Sequence, residues 1–142
     1  MTEKKLCVDA NFIVRYLGSK DPASIYQQKW QQWQAENYTL VAPTLFMYEI
    51  ANAFHRATRA GQITLEEAEQ FIEQALNLGI QFYGDAELHR QAFSIAQRYR
   101  LAATYDAHYL ALADRLNIEF WTSDQRLFNA VSPYLNWVNY IS

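Results

Sequence analysis

The chain has 142 residues, a length that predicts one domain (1–142) and, once folded, removes roughly 70% of the unfolded chain's surface from water. A hydrophobic share of 51% against 19% charged residues excludes a disordered chain, and no apolar run reaches the ~18 residues of a membrane span. The net charge of −3 argues against a uniformly basic nucleic-acid-binding surface, and one cysteine excludes an intrachain disulfide.

In chain order, Lys5 to Val8 is a short apolar run ending at Asp9 and predicts a buried strand, with Cys7 as a structural thiol inside it. Phe12, Ile13, Tyr16 and Leu17 mark a helical face closed by Gly18 as C-cap. Asp21-Pro22 predicts the start of a second helix running to about Glu36, with Ile25, Trp30 and Trp33 on its apolar face. Tyr38 to Ala42 reads as a second strand. Pro43-Thr44 opens a helix whose buried stripe is Phe46, Ile50, Ala53, Phe54 and Ala57, and Gly61 ends it. Thr64 with Glu67 forms a capping-box pattern for another helix. A strand follows at Ile80–Tyr83, a helix from Asp85 to Tyr99, a helix from Tyr105 to Leu116 and a strand at Ile118–Thr122. Asp124–Val131 is helical and Trp137–Tyr140 is a last strand. Short apolar strands alternating with helices predict an α/β fold with a mostly parallel sheet and helices on both faces. No repeat, linker or low-complexity segment interrupts it. The run MTEKKLCVDAN carries no signal-peptide pattern, and a cytoplasmic protein is expected.

Four acids stand out by position. Asp9 and Asp124 each follow an apolar strand and precede a helix, and ligands of open α/β sheets gather beyond the carboxyl ends of strands. Asp106 begins the helical face that continues through Tyr109, Leu110 and Ala113, where a lone buried carboxylate is costly. Glu49 lies beside the stripe of Phe46, Ile50 and Phe54, and Asn52 shares its face and can orient it. Four converging carboxylates repel one another and need a cation to stay ionised together. An all-oxygen set without a His or Cys cluster favours Mg²⁺ or Mn²⁺, and such an ion suits phosphodiester hydrolysis. Setting these four aside leaves 11 acidic against 12 basic residues, so the acidic total does not exclude a phosphate-bearing substrate.

Simpler roles compete with this reading. Asp9 and Asp124 also suit plain helix N-caps, and Glu49 a surface ion pair. His55, His89 and His108 show no ligand spacing, and Glu66, Glu67, Glu69 and Glu73 read as a solvated helix face. Arg15, Arg56, Arg59 and Arg126 follow the acidic motifs and either flank a cleft as RNA-phosphate contacts or are solvated surface residues. Aspartyl-phosphate chemistry at Asp9 is disfavoured, because Asn11 stands where a second Asp is usual and the last lysine is Lys29.

The segments V-D-A-N at 8–11, Y-E-I-A-N-A at 48–53, Y-D-A-H-Y-L-A-L-A at 105–113 and W-T-S-D-Q-R-L at 121–127 resemble the successive motifs of PIN domains. Their order and spacing are most similar to the VapC group of toxin–antitoxin ribonucleases, over nearly the whole chain. The resemblance implies a three-layer α/β/α fold around a sheet of about five strands. It implies a metal-dependent endoribonuclease, the toxin of a type II toxin–antitoxin pair, with Asp9, Glu49, Asp106 and Asp124 as the metal-binding, catalytic acids. Thr122 and Asn11 become supporting residues, although Asn11 departs from the small hydroxyl residue frequent at that position. A homodimer and a small antitoxin partner are implied as well. The alternative is a silent PIN-like module acting only through a protein partner, but no acid of the set is missing.

Overall fold

The structure is a computed structural model and describes residues 3–141. The first strand, β1 (Lys4–Val8), turns at Asp9 into α1 (Ala10–Gly18), because the Asp9 carboxylate accepts the Phe12 N–H and caps the helix. A second helix, α2 (Ile25–Ala35), leads to β2 (Tyr38–Pro43), then α3 (Leu45–Arg59) and α4 (Leu65–Leu76). The chain continues through β3 (Gln81–Tyr83), α5 (Ala86–Tyr99), α6 (Tyr105–Leu116), β4 (Phe120–Thr122), α7 (Gln125–Val131) and β5 (Val138–Tyr140).

All five described strands are parallel and lie in the order β3-β2-β1-β4-β5. The chain therefore builds outward from β1 through β2 to β3, then crosses back to set β4 on the other side of β1. Right-handed crossovers put α1–α4 on one face and α5–α7 on the other. The packing agrees: α1 contacts α2, α3 and α4, whereas α5 packs on α6 and α6 lies against β1, β2 and β4. The expected mostly parallel three-layer fold of about five strands is what the chain adopts.

Both faces of the sheet are covered, so the inner segments of its central strands, Leu6 to Val8 in β1 and Leu40 to Ala42 in β2, are apolar. Leu6, Cys7, Val8, Val41, Ala42 and Phe120 are buried. The α1 side of the core is closed by Phe12 against Tyr26 and Trp33, the other side by Leu110, Leu112 and Tyr109, whose ring stacks on Phe120. Burying a Phe or Leu here contributes about 1.5–3 kcal/mol each.

The boundaries differ from expectation in a few places. The second helix begins at Ile25, capped by Ser24, not at Asp21-Pro22. Asp21 instead folds a turn of its own: its Oδ1 accepts the Ala23 N–H and its carbonyl the Ser24 N–H. Gly18 is the last helical residue and Ser19 the cap. Ile118 and Glu119 precede β4, because Asn117 sits in the left-handed conformation (φ 55) and the Ile118 N–H still bonds back to Ala113. The Thr64–Glu67 capping box is present, and past Ala60 the positive φ of Gly61 (74°) terminates α3. Among the described residues, no helix is long and apolar enough to cross a membrane.

Candidate active site

The fold reverses direction between β1 and β4, and their carboxyl ends open a crevice there. Asp9 lies at one wall, 8% exposed. Its Oδ1 accepts the Phe12 N–H at 2.8 Å, and its Oδ2 accepts the Thr122 hydroxyl at 2.6 Å and the Ser123 N–H at 3.2 Å. Burial nevertheless dominates and raises this carboxyl above its ordinary range; the three bonds oppose the rise and the charge of Asp124 adds to it.

Asp124 stands at the matching end of β4. Its Oδ1 accepts the Leu127 N–H at 3.2 Å and caps α7, while its own N–H donates to Thr122 Oγ1 at 3.0 Å. The fully buried Thr122 hydroxyl thus joins two strand ends: it takes a bond from the backbone of one acid and gives a bond to the side chain of the other. Asp9 and Asp124 are helix caps, as the simpler reading has it, and they face one crevice as well. An Asp9 or Asp124 oxygen bonded to a backbone N–H leaves lone pairs free.

Asp106 lies in the first turn of α6, half-buried. Burial, then the charges of Asp124 and Asp9, push its carboxyl up to about 6. Glu49 approaches from α3. Burial raises it too, with Asp106 and Asp9 adding, while a hydrogen bond donated by the Tyr109 hydroxyl at 2.6 Å opposes the rise. Burial first, then Glu49, push the Tyr109 phenol far above its ordinary range, so it remains a proton donor.

All four acids line a single cleft of about 540 Å³, together with Asn11, Tyr109, Ser123, Arg15 and Arg126. Asn11 reaches across the crevice, donating through Nδ2 to the Ser123 hydroxyl at 3.2 Å. Asn52 and Arg56 lie one step away, in a cavity of about 210 Å³ that shares Asn11 and Glu49 with the main cleft. Arg59 is exposed near the end of α3 and lines neither cavity, so it stands apart from the other three arginines. Arg15 is steadied by the Tyr26 hydroxyl, to which it donates at 2.8 Å.

Ala10, Tyr109, Ser123 and Gln125 also line the cleft without being site residues in the sequence reading, and two of them make hydrogen bonds to its acids. Tyr109 read as an apolar-face residue, yet its place three positions after Asp106 puts it on the same helical side. Ser123 lies inside W-T-S-D-Q-R-L between two residues that were singled out.

Among the described residues, no three His, Cys, Asp or Glu side chains close into a ready-made ion cage. The cleft is wider than that, and its donors are oxygens. Mg²⁺ keeps several of its waters and takes only one or two carboxylates directly, so an open all-oxygen cleft with mutually repelling acids suits such an ion.

Fold and site together define a doubly wound α/β protein with an acidic crevice at its topological switch point. The chain belongs to the PIN-domain family, whose domain matches residues 6–132. It is 28% identical to Ribonuclease VapC3 of Pyrobaculum aerophilum over 130 residues, 87% of this chain and 92% of that protein. Among solved structures, the VapBC2 complex of Rickettsia felis, bound to a promoter DNA fragment, contains a chain of the same fold. Its TM-score is 0.72 at 12% identity, covering 97% of this chain and 99% of that one. A toxin–antitoxin complex from Klebsiella pneumoniae gives a TM-score of 0.65 at 17% identity, covering 89% and 92%. At these identities the structures speak to the fold.

Proposed function

We propose that the chain is a divalent-metal-dependent endoribonuclease and the toxin of a type II toxin–antitoxin pair. The observation that carries this reading is the convergence of Asp9, Glu49, Asp106 and Asp124, from four separate segments, on one cleft. The similarity to a ribonuclease of the VapC kind supports the choice of RNA as substrate.

In this reading the four acids hold Mg²⁺ or Mn²⁺. When bound, such an ion lowers the pKa of water and stabilises negative charge developing on a phosphate oxygen. The chain's own residues prepare the site. Thr122 and the Ser123 N–H fix Asp9, and the α7 N-terminus holds Asp124. Arg15 and Arg126 line the same cleft and, with the charge of a bound dication, would offset the four acids so that an RNA phosphate can enter the crevice. Water would add to phosphorus, the P–O bond to the leaving nucleotide would break, and the proton given up by the water would end on the departing oxygen.

A small antitoxin and a second copy of the chain are the proposed partners, in the cytoplasm. The toxin–antitoxin complexes among the structural relatives support the antitoxin. Exposed Tyr48 (75%), Phe93 (60%) and Tyr105 (61%) offer apolar surface for protein contacts.

The test is cleavage of a panel of structured RNAs by wild type and Asp9→Asn, with Mg²⁺ or Mn²⁺ and with chelator. Cleavage that needs the ion and is lost in Asp9→Asn is expected. Equal cleavage by both proteins, or wild-type cleavage indifferent to chelator, sinks the assignment.

A further inference from the structure

We infer that Tyr109 is a positioning residue of the acidic cleft, its hydroxyl fixing the Glu49 carboxylate from the helix that also carries Asp106. This rests on the reading of the cleft as a dication site.

Glu49 comes from a helix on one face of the sheet and Asp106 from a helix on the other. Nothing local sets the distance between them. Glu49 has three rotatable side-chain bonds and no capping role, unlike Asp9 and Asp124. Its carboxylate accepts a hydrogen bond from the Tyr109 hydroxyl, at 2.6 Å and across 60 residues of sequence. Bonds of this kind, from a neutral hydroxyl to a carboxylate, are short and roughly twice as strong as neutral ones.

Tyr109 is built to hold still. It is 1% exposed, and its ring stacks on Phe120 of β4 with centroids 5.7 Å apart and planes 28° from parallel. Packing alone would be served by Phe. A buried hydroxyl is unfavourable without a partner, and here its partner is an acid of the cleft. Asp106 and Tyr109, three residues apart, therefore act as one rigid unit: the first contributes a carboxylate and the second orients another. Tyr109 does for Glu49 what Thr122 does for Asp9.

The test is a double-mutant cycle on Mn²⁺ affinity, measured by electron paramagnetic resonance in the full chain. The proteins are wild type, Tyr109→Phe, Glu49→Ala and the double variant. Tyr109→Phe should weaken Mn²⁺ binding on the order of 10–100-fold, the usual effect of removing a group that orients a metal ligand. In the Glu49→Ala background the same change should alter affinity by no more than about twofold, because the group it orients is gone. A structural role would move affinity equally in both backgrounds. That result, or no loss in either, overturns the inference. If wild type binds no Mn²⁺ at all, the dication reading fails on its own account. The positioning role is then read from crystal structures of wild type and Tyr109→Phe: a displaced Glu49 carboxylate upholds it and an unmoved one overturns it.

Discussion

Replacing Thr122 by Val removes one hydroxyl and changes little else in shape, yet this hydroxyl joins the two strand ends that bear Asp9 and Asp124. The side chain is fully buried, so water makes up little of what is lost on the Asp9 side. A hydrogen bond to a charged group contributes about 1.5–3 kcal/mol, and the Asp124 N–H also loses its acceptor, at a site water can partly reach. A loss of about 2–3 kcal/mol follows. For a chain of this length each kcal/mol moves Tm by roughly 3–4 °C, so the metal-free protein should melt about 6–12 °C lower. Mn²⁺ affinity should fall on the order of 10–100-fold, because Asp9 is no longer oriented. Thr122→Ser keeps the hydroxyl and should retain most of both. Thermal unfolding in chelator and a Mn²⁺ titration check the two effects. A Thr122→Val protein that melts within about 2 °C of wild type and binds the ion normally would refute the argument that this hydroxyl organises the cleft.

Three other outcomes are expected. Asp106 titrates near 6 when folded, against an ordinary value of 3.8, so the folded chain binds its proton more tightly and metal-free stability falls as pH rises through that window. In chelator, Asp106→Asn should therefore melt on the order of 3 °C above wild type at pH 7, with solvent screening already discounted. The gap should close below about pH 4; a gap constant with pH contradicts the assignment. Asp85 behaves oppositely. Its bidentate pair with Arg115, at 2.7 and 3.0 Å, ties α5 to α6 and lowers its carboxyl to about 2, so the stabilisation is present above 3.8 and lost as pH falls through 2. Asp85→Asn keeps a capping oxygen and should lower Tm at pH 7 but not near pH 2, read by calorimetry at both. Finally, Arg15→Ala and Arg126→Ala should each reduce the salt dependence of RNA binding, by about 0.7–0.9 in the slope of log K against log salt. Arg59→Ala, off the cleft, should leave that slope unchanged; the reverse pattern, read from filter binding at several salt concentrations, rules out the cleft as the phosphate-binding face.

Much of this protein is written in contacts three or four residues apart. The Thr64–Glu67 box, the capping carboxylates of Asp9, Asp85 and Asp124, and the buried stripe of Phe46, Ile50 and Phe54 follow from helix geometry alone, so the sequence displays them directly. Strands buried on both faces announce themselves as short apolar runs, which is why the parallel sheet was legible. Local rules failed at the second helix: Asp21-Pro22 fits a helix start by sequence, yet the helix begins after Ser24, at Ile25, and packs Trp33 into the core.

Tertiary structure alone decided what meets across the chain. Motif order pointed to the four acids as a set. Their shared cleft depends on β4 inserting beside β1, because only that strand order brings residues 9 and 124 together. The separation of Arg59 from the other arginines and the bond from Tyr109 to Glu49 belong to the same kind of fact. Periodicity fixes the side of a helix on which a residue lies, not which other helix that side will face. The second question is answered by the crossing of the sheet, a choice made by the burial of the whole core at once.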